Sequence, residues 1–230
     1  MVDLHSLLTE NKQPLKEFGY LLLFVSVLFA MTFIIITSFN LLAYAAAVVS
    51  ITLIIFVIKR LVAYYFEVRL SSTFWLSGLI FSAVATLFVS ALGAPVLVPF
   101  LNTTDYKRAK TLRGLKKGEV TVEEKWKISI FSAIIFLAFS MLFFWLNTRY
   151  NSQALFASGS FLVIYTFLNL LPYHRFDGAF MFYHNLIMSA IKLMLAFLTM
   201  VLVYISFFAG FWSFVVFTVF SLASYRLKLW

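Results

Sequence analysis

Cysteine is absent from this chain, and charged residues make up only 12% of its 230 residues. The lack of cysteine excludes disulfides, thiolate metal sites and cysteine nucleophiles. The scarcity of charge accompanies 63% hydrophobic residues and a mean hydropathy of +0.98. Because a soluble core of this size cannot bury so much apolar surface, the composition indicates a polytopic membrane protein of the all-α class.

Acidic residues are also few, with nine aspartates and glutamates against eighteen lysines and arginines and a net charge of +9. In a membrane protein such an excess of basic residues marks the cytoplasmic face more often than a nucleic-acid site. We therefore expect membrane lipids among the partners and no nucleic acid.

Seven apolar segments are long enough to be compared with the roughly 20 residues that a spanning helix needs. Residues 1–17 are expected to form a cytoplasmic N-terminal segment and residues 18–230 a single transmembrane domain. The apolar segments lie near 18–39, 41–63, 76–100, 128–147, 154–172, 186–207 and 209–228.

One long charged loop, residues 102–127, carries eight basic residues. On the cytoplasmic side such a surface attracts anionic lipid headgroups, and docking of a partner protein is the alternative role. The residues expected to form this surface are Lys107, Arg108, Lys110, Arg113, Lys116 and Lys117.

The distribution of basic residues tests whether all seven segments cross the membrane. If the segment 76–100 enters and returns on one side, sixteen of the seventeen basic residues at or beyond the segment ends lie on one face, and only Arg149 lies on the other. The composition allows this, since two glycines and two prolines interrupt the segment. We expect six transmembrane helices, one re-entrant segment and both termini in the cytoplasm, in a multi-pass protein of the cell membrane.

A polar cluster, NLLPYHRFDG, stands at residues 169–178 inside an otherwise hydrophobic half of the chain. Asn169, Pro172, Asp177 and Gly178 reproduce the N-x-x-P-x-x-x-x-D-G pattern of intramembrane site-2 proteases, in which the aspartate is the third zinc ligand. The stretch LVAYYFEVRL at 61–70 resembles the part of archaeal members that follows the metal-binding helix. The chain therefore resembles an archaeal-type site-2 protease, and the resemblance implies that family's helical core.

The catalytic helix of that family carries H-E-x-x-H, whose histidines bind zinc and whose glutamate is the general base. The resemblance places Ile55, Phe56 and Lys59 at these three positions, and the chain has no histidine between His5 and His174. We therefore expect no enzymatic activity, no catalytic residue and no cofactor, as in an inactive homologue of a zinc metalloprotease.

Asp177 admits three interpretations. It could cap a helix that begins near Gly178, or it could form an ion pair with Arg175 or Lys59, where an ammonium would replace the zinc ion. A rebuilt metal site would instead use the candidate ligands His174, Asp177 and His184.

Two functions from different classes are compatible with these residues. The first is a non-catalytic membrane subunit, a pseudoprotease that binds or scaffolds other integral membrane proteins in a complex. The alternative is a small transporter or channel component, in which Asp177 and the re-entrant segment 76–100 line a polar path. Because nearly all polar groups lie at segment ends, the subunit is favoured.

Overall fold

The structure is a computed structural model and describes residues 41–73, 84, 103–108, 120–172 and 177–226. These residues form six α-helices and one two-stranded antiparallel sheet. The helical class expected from the sequence is confirmed in its main part, and the sheet is an addition to it. The predicted segments 1–17, 18–39 and 76–100 lie outside the described residues, apart from Val84 in the last.

Helix α1, Leu41–Tyr65, leads directly into the sheet. Glu67 adopts a positive φ of 58° in the turn that follows the helix, and strand β1, Val68–Thr73, begins at the next residue. Strand β2, Thr103–Arg108, pairs with β1 in a register that sets Val68 opposite Arg108 and Thr73 opposite Thr103. The two strands therefore begin and end side by side, although a long stretch of chain separates them.

Helix α2, Val122–Tyr150, begins six residues before the apolar segment predicted at 128–147. Its start is fixed by a capping box, since the Thr121 side chain accepts from the Glu124 backbone N–H while the Glu124 carboxylate accepts from Thr121. The expectation that residues 102–127 form a loop throughout is thus wrong, because 103–108 are strand β2 and the helix starts at Val122. At about 1.5 Å per residue α2 is about 43 Å long, longer than the roughly 30 Å of a bilayer core.

Four further helices complete the bundle: α3, Gln153–Asn169; α4, Asp177–His184; α5, Leu186–Ile205; and α6, Phe207–Arg226. A left-handed Asn151 lets α3 turn back along α2, and the Asn185 side chain caps the start of α5. The short helix α4 joins α3 to α5.

Aromatic contacts define the two ends of the bundle. At one end Trp126, near the start of α2, packs against His184 at 5.6 Å and Tyr225 at 6.5 Å between ring centroids. At the opposite end Phe144 contacts Tyr204, near the end of α5, at 6.0 Å. We call the first of these the sheet end, because β1 and β2 pack there against the last turns of α1 and the first turns of α2.

Small and hydroxylated residues let the helices approach closely. The Ser140 hydroxyl of α2 donates to the Gly159 carbonyl of α3 over 2.7 Å, and Thr199 and Ser213 share a buried 3.0 Å hydrogen bond between α5 and α6. Such contacts are typical of helices that associate within lipid, where apolar burial alone does not drive association.

Among the described residues, the helices Val122–Tyr150, Leu186–Ile205 and Phe207–Arg226 are each long and apolar enough to cross a membrane. Helix α3 contains a shorter apolar stretch, Ala154–Asn169. This finding supports the membrane association that the composition predicts.

Candidate functional site

Asp177, the first residue described in α4, lies at the centre of a buried polar cluster. Its side chain is only 2% exposed, and Lys59 Nζ lies 2.6 Å from Oδ2. The Tyr106 hydroxyl donates to Oδ1 over 2.7 Å, and Asn169 Nδ2 donates to Oδ2 over 2.8 Å. Because the three donors come from α1, β2 and α3, this carboxylate joins four elements of the fold.

Lys59 lies on α1, less than two turns before the end of the helix, and its side chain is 10% exposed. The Tyr165 hydroxyl of α3 lies close enough to interact with its ammonium. A buried ammonium in a membrane helix is costly unless an anion and further hydrogen-bond partners surround it. The structure thus brings together the two residues that the sequence suggests as an ion pair, and Tyr165 adds a further partner.

Tyr106 is held in position by contacts with α2 and α4. Its ring packs edge-on against Phe180 at 5.5 Å between centroids, and Lys125 Nζ lies 4.9 Å from the centroid of the Phe180 ring. These contacts fix β2 over the start of α4 and aim the Tyr106 hydroxyl at Asp177. The sheet is therefore anchored to the bundle by a buried hydrogen bond.

The protonation states of Asp177 and Tyr106 follow from these surroundings. Burial by itself raises the pKa of Asp177, but the charge of Lys59 and the hydrogen bonds from Lys59, Tyr106 and Asn169 bring it below its ordinary value. Burial and the adjacent carboxylate together raise the pKa of Tyr106 well above its usual range. Tyr106 therefore stays protonated, and its hydroxyl donates a hydrogen bond to the charged carboxylate of Asp177.

The remaining motif residues shape the connection between α3 and α4. A Cβ built on Gly178 would lie 2.1 Å from the Leu170 carbonyl oxygen, so only glycine permits this approach of α4 to the end of α3. Pro172 is exposed in the connection, where it cannot continue α3. Asn169, Asp177 and Gly178 thus each have a specific local role.

The positions that the resemblance assigns to H-E-x-x-H contain no metal ligand. Ile55 is buried in an apolar cluster with Phe136 and Phe161. Phe56 packs under the guanidinium of Arg60, whose Cζ lies 4.0 Å from the ring centroid. Lys59 one turn further along points at Asp177 instead of a cation.

The candidate metal ligands do not form a described cluster. His184 lies at the far end of α4, about 10 Å along the axis from Asp177, and packs against Trp126. His174 and Arg175 lie outside the described residues. Within the described part of the chain, no group of three or more histidine, aspartate or glutamate side chains could hold a metal ion.

The surface expected to bind lipid headgroups or a partner consists of residues whose side chains the structure does not describe. Lys107 and Arg108 belong to β2, where the register sets them opposite Arg69 and Val68. The other residues of the expected lipid or partner surface, Lys110, Arg113, Lys116 and Lys117, lie outside the described residues.

Sequence reasoning missed Tyr106, Tyr165 and Lys192. Tyr106 lies in the polar stretch TTDYKR and Tyr165 in an apolar helix, both without a motif, and only contacts between distant elements bring them to Asp177 and Lys59. Lys192 lies inside the apolar segment 186–207, where the positive-inside comparison does not count it. An isolated lysine within a spanning segment is itself a signal, and it could have identified this position.

We expect the purified protein to bind no stoichiometric zinc, because hydrogen-bond donors face both oxygens of Asp177 and an ammonium lies within 2.6 Å. Elemental analysis of the detergent-solubilised protein measures this directly. About one zinc per chain, lost in both Asp177→Ala and His184→Ala, would instead show a rebuilt metal site.

Comparison of the chain with protein-family models, with curated proteins and with solved structures found no match.

Proposed function

We propose that this chain is a non-catalytic integral membrane subunit with a site-2-protease-like core, and that it binds or scaffolds other membrane proteins. The observation that carries the proposal is the contact between Lys59 and Asp177. The resemblance assigns these residues to the second and third metal-ligand positions of one catalytic centre. Ligands of one metal ion must converge on one point. The 2.6 Å contact between the two side chains supports their assignment to two ligand positions of one centre.

The chemistry of the contact supports a scaffold without catalysis. An ammonium beside the carboxylate supplies the positive charge that a zinc ion would supply, but it cannot activate water as a Lewis acid. Phe56 stands at the position of the general base and has no proton acceptor. The charge balance of the core is thus kept, while the groups that would cleave a peptide bond are missing from these positions.

The polar groups within the described helices weigh against the alternative of a transporter or channel. Several hydroxyls donate to carbonyl groups of their own helix four residues earlier, as Ser158, Thr166 and Thr199 do. Asp177 is neutralised by Lys59 and is only 2% exposed. Groups that are satisfied in this way do not offer a continuous polar path.

A partner-binding subunit should be purified together with its partner. We expect affinity purification in mild detergent to yield one or more integral membrane proteins in near-stoichiometric amounts. A photo-crosslinking residue at Leu61, exposed on the helix that carries Lys59, should give a protein-sized adduct in intact membranes. The same residue at Leu162, which is fully buried in α3, is the matched control.

Elution of the chain alone, with only lipid-sized adducts from Leu61, would contradict a scaffolding role. Ion or solute flux through reconstituted vesicles, abolished by Asp177→Asn, would support the transporter instead.

The proposed topology comprises six spans, a re-entrant segment at 76–100 and cytoplasmic termini. It is supported by the register of the sheet, because Thr73 and Thr103 are paired and the segment between them must leave and return at one place. It is supported also by the helix directions, since α1 ends and α2 begins at the sheet end. A single crossing between them would place these two helix termini on opposite sides of the membrane.

Single cysteines introduced at Asn102, Gly118 and Ser152 test this topology. The native chain has no cysteine, so a thiol reagent labels only the introduced residue. We expect an impermeant thiol reagent to label only the cysteine at 152 in intact cells, and all three after permeabilisation. Labelling at 102 and 118 from outside would refute the proposed orientation.

A further inference from the structure

Lys192 is the one charged residue of α5. It is 1% exposed and shares the inward face of the helix with Ser189 and Ala196. Its Nζ lies 4.6 Å from the centroid of the Trp126 ring, and within the described part of the chain no hydrogen bond or ion pair to it is present. A cation–π contact offsets only part of the cost of removing an ammonium from water.

The position of Lys192 along α5 places its ammonium near the membrane surface. The residue lies six positions after Leu186, about 9 Å along the axis. Side chains on a helix lean towards its N-terminus, so the four-carbon stem brings Nζ back towards the first turn of α5. The contact with Trp126 agrees with this, because the indole lies near the start of α2 at the sheet end.

The surroundings of Nζ are suited to an anion attached to an apolar molecule. His184 packs edge-on against Trp126 and fixes the indole beside the ammonium. Tyr183, near the end of α4, and Leu186 and Ile187, in the first turn of α5, are strongly exposed. A buried cation thus lies one to two helical turns from an apolar surface of the kind that acyl chains cover, at the depth where tryptophan marks the headgroup region.

We propose that Lys192 and Trp126 form a binding site for the phosphate group of an anionic membrane lipid. The phosphate supplies the counter-charge that no described residue gives Lys192, and the acyl chains lie along Leu186 and Ile187. A carboxylate on a partner's transmembrane helix fits less well, because Lys192 is on the buried face of α5 and a rigid helix cannot reach it. A single phosphate can meet the ammonium near the first turn, to which the flexible stem brings Nζ. This site is independent of the proposed scaffolding function.

Thermal unfolding of the purified, delipidated full chain in neutral detergent tests the site. We expect phosphatidylglycerol to raise the unfolding midpoint of the wild-type protein above that in phosphatidylcholine, since a ligand that binds only the folded state stabilises it. In Lys192→Met this gain should disappear. Lys127→Met, an equal change of charge at the same end of the bundle, should keep the full gain.

Lys192→Met is expected to fold, because methionine replaces a buried cation that has no described anionic partner with an apolar side chain of similar length. Lys192→Gln provides a second neutral variant and should also lose the gain. An equal gain in Lys192→Met and the wild type would overturn the site, as would the absence of any gain in the wild type. An equal gain with inorganic phosphate at the same concentration would overturn its assignment to a lipid.

Discussion

Replacing Lys59 by methionine is expected to lower the free energy of unfolding by about 3–5 kcal/mol, the range typical of a buried charge that loses its partner. Asp177 would remain enclosed, with Tyr106 and Asn169 as its only described donors. Replacing Asp177 by asparagine should cost a similar amount, because Lys59 would then be buried beside a neutral amide. The double variant should recover most of the loss, so the coupling energy should be at least about 3 kcal/mol.

The network around Asp177 determines which substitution makes a clean test. Leucine at 177 would leave the Tyr106 hydroxyl and the Asn169 amide without their acceptor, at about 1–3 kcal/mol for each buried group. Asp177→Leu should therefore be worse than Lys59→Met, and the double variant with leucine should recover less than the one with asparagine. Asparagine keeps an acceptor oxygen in place and removes only the charge.

An exposed ion pair in the same molecule serves as the control. Lys127 Nζ lies 2.6 Å from Glu123 Oε1, the same separation as in the buried pair, but these side chains are 19% and 47% exposed. Lys127→Met and Glu123→Gln should each change stability by about 0.5 kcal/mol or less, since water and salt screen such pairs. Unfolding in mixed micelles measures both cycles under one condition. Additive losses at Lys59 and Asp177 would mean that the two do not interact, and the helix-cap role of Asp177 would then account for its burial.

The helices and the ion pair could be predicted from the sequence, for different physical reasons. Hydropathy places α5 at 186–207 against the observed Leu186–Ile205, because lipid selects apolar residues position by position. The ion pair could be suggested because a carboxylate near membrane depth needs a cation, and the resemblance placed Lys59 nearby. The first inference depends on a short window of sequence, whereas the second depends on a resemblance that relates two positions far apart in the chain.

The donors from the sheet could not be predicted in this way. Strand β1 finds its partner only in β2, beyond a long intervening segment, and no local pattern specifies such a pairing. Tyr106 reaches Asp177 only after that pairing has formed.

Helix α2 starts earlier than hydropathy predicts. The apolar run begins only after Lys127, whereas the capping box of Thr121 and Glu124 starts the helix at Val122.

Gly178→Ala should cause the largest loss of any single methyl addition in the motif, more than about 4 kcal/mol. The added Cβ would lie 2.1 Å from the Leu170 oxygen and 2.5 Å from the Leu171 oxygen, and both are backbone atoms that no rotamer change can move. Helix α4 must shift away from the end of α3 and draw Asp177 away from Asn169 and Lys59. Unfolding in mixed micelles should therefore show a strong loss of stability.

Gly159→Ala is the matched control, because the three atoms nearest to its Cβ all belong to the Phe144 side chain, the closest at 2.9 Å, and a side chain can shift more easily than backbone. Alanine also favours a helix over glycine by about 1 kcal/mol, so we expect a net loss no greater than about 2 kcal/mol. A second measurement separates local strain from loss of the ion pair. If α4 shifts as proposed, Lys59→Met should cost much less in the Gly178→Ala protein than in the wild type, because the pair is already broken. An undiminished cost would show that Asp177 stays beside Lys59 and that the chain relieves the clash elsewhere.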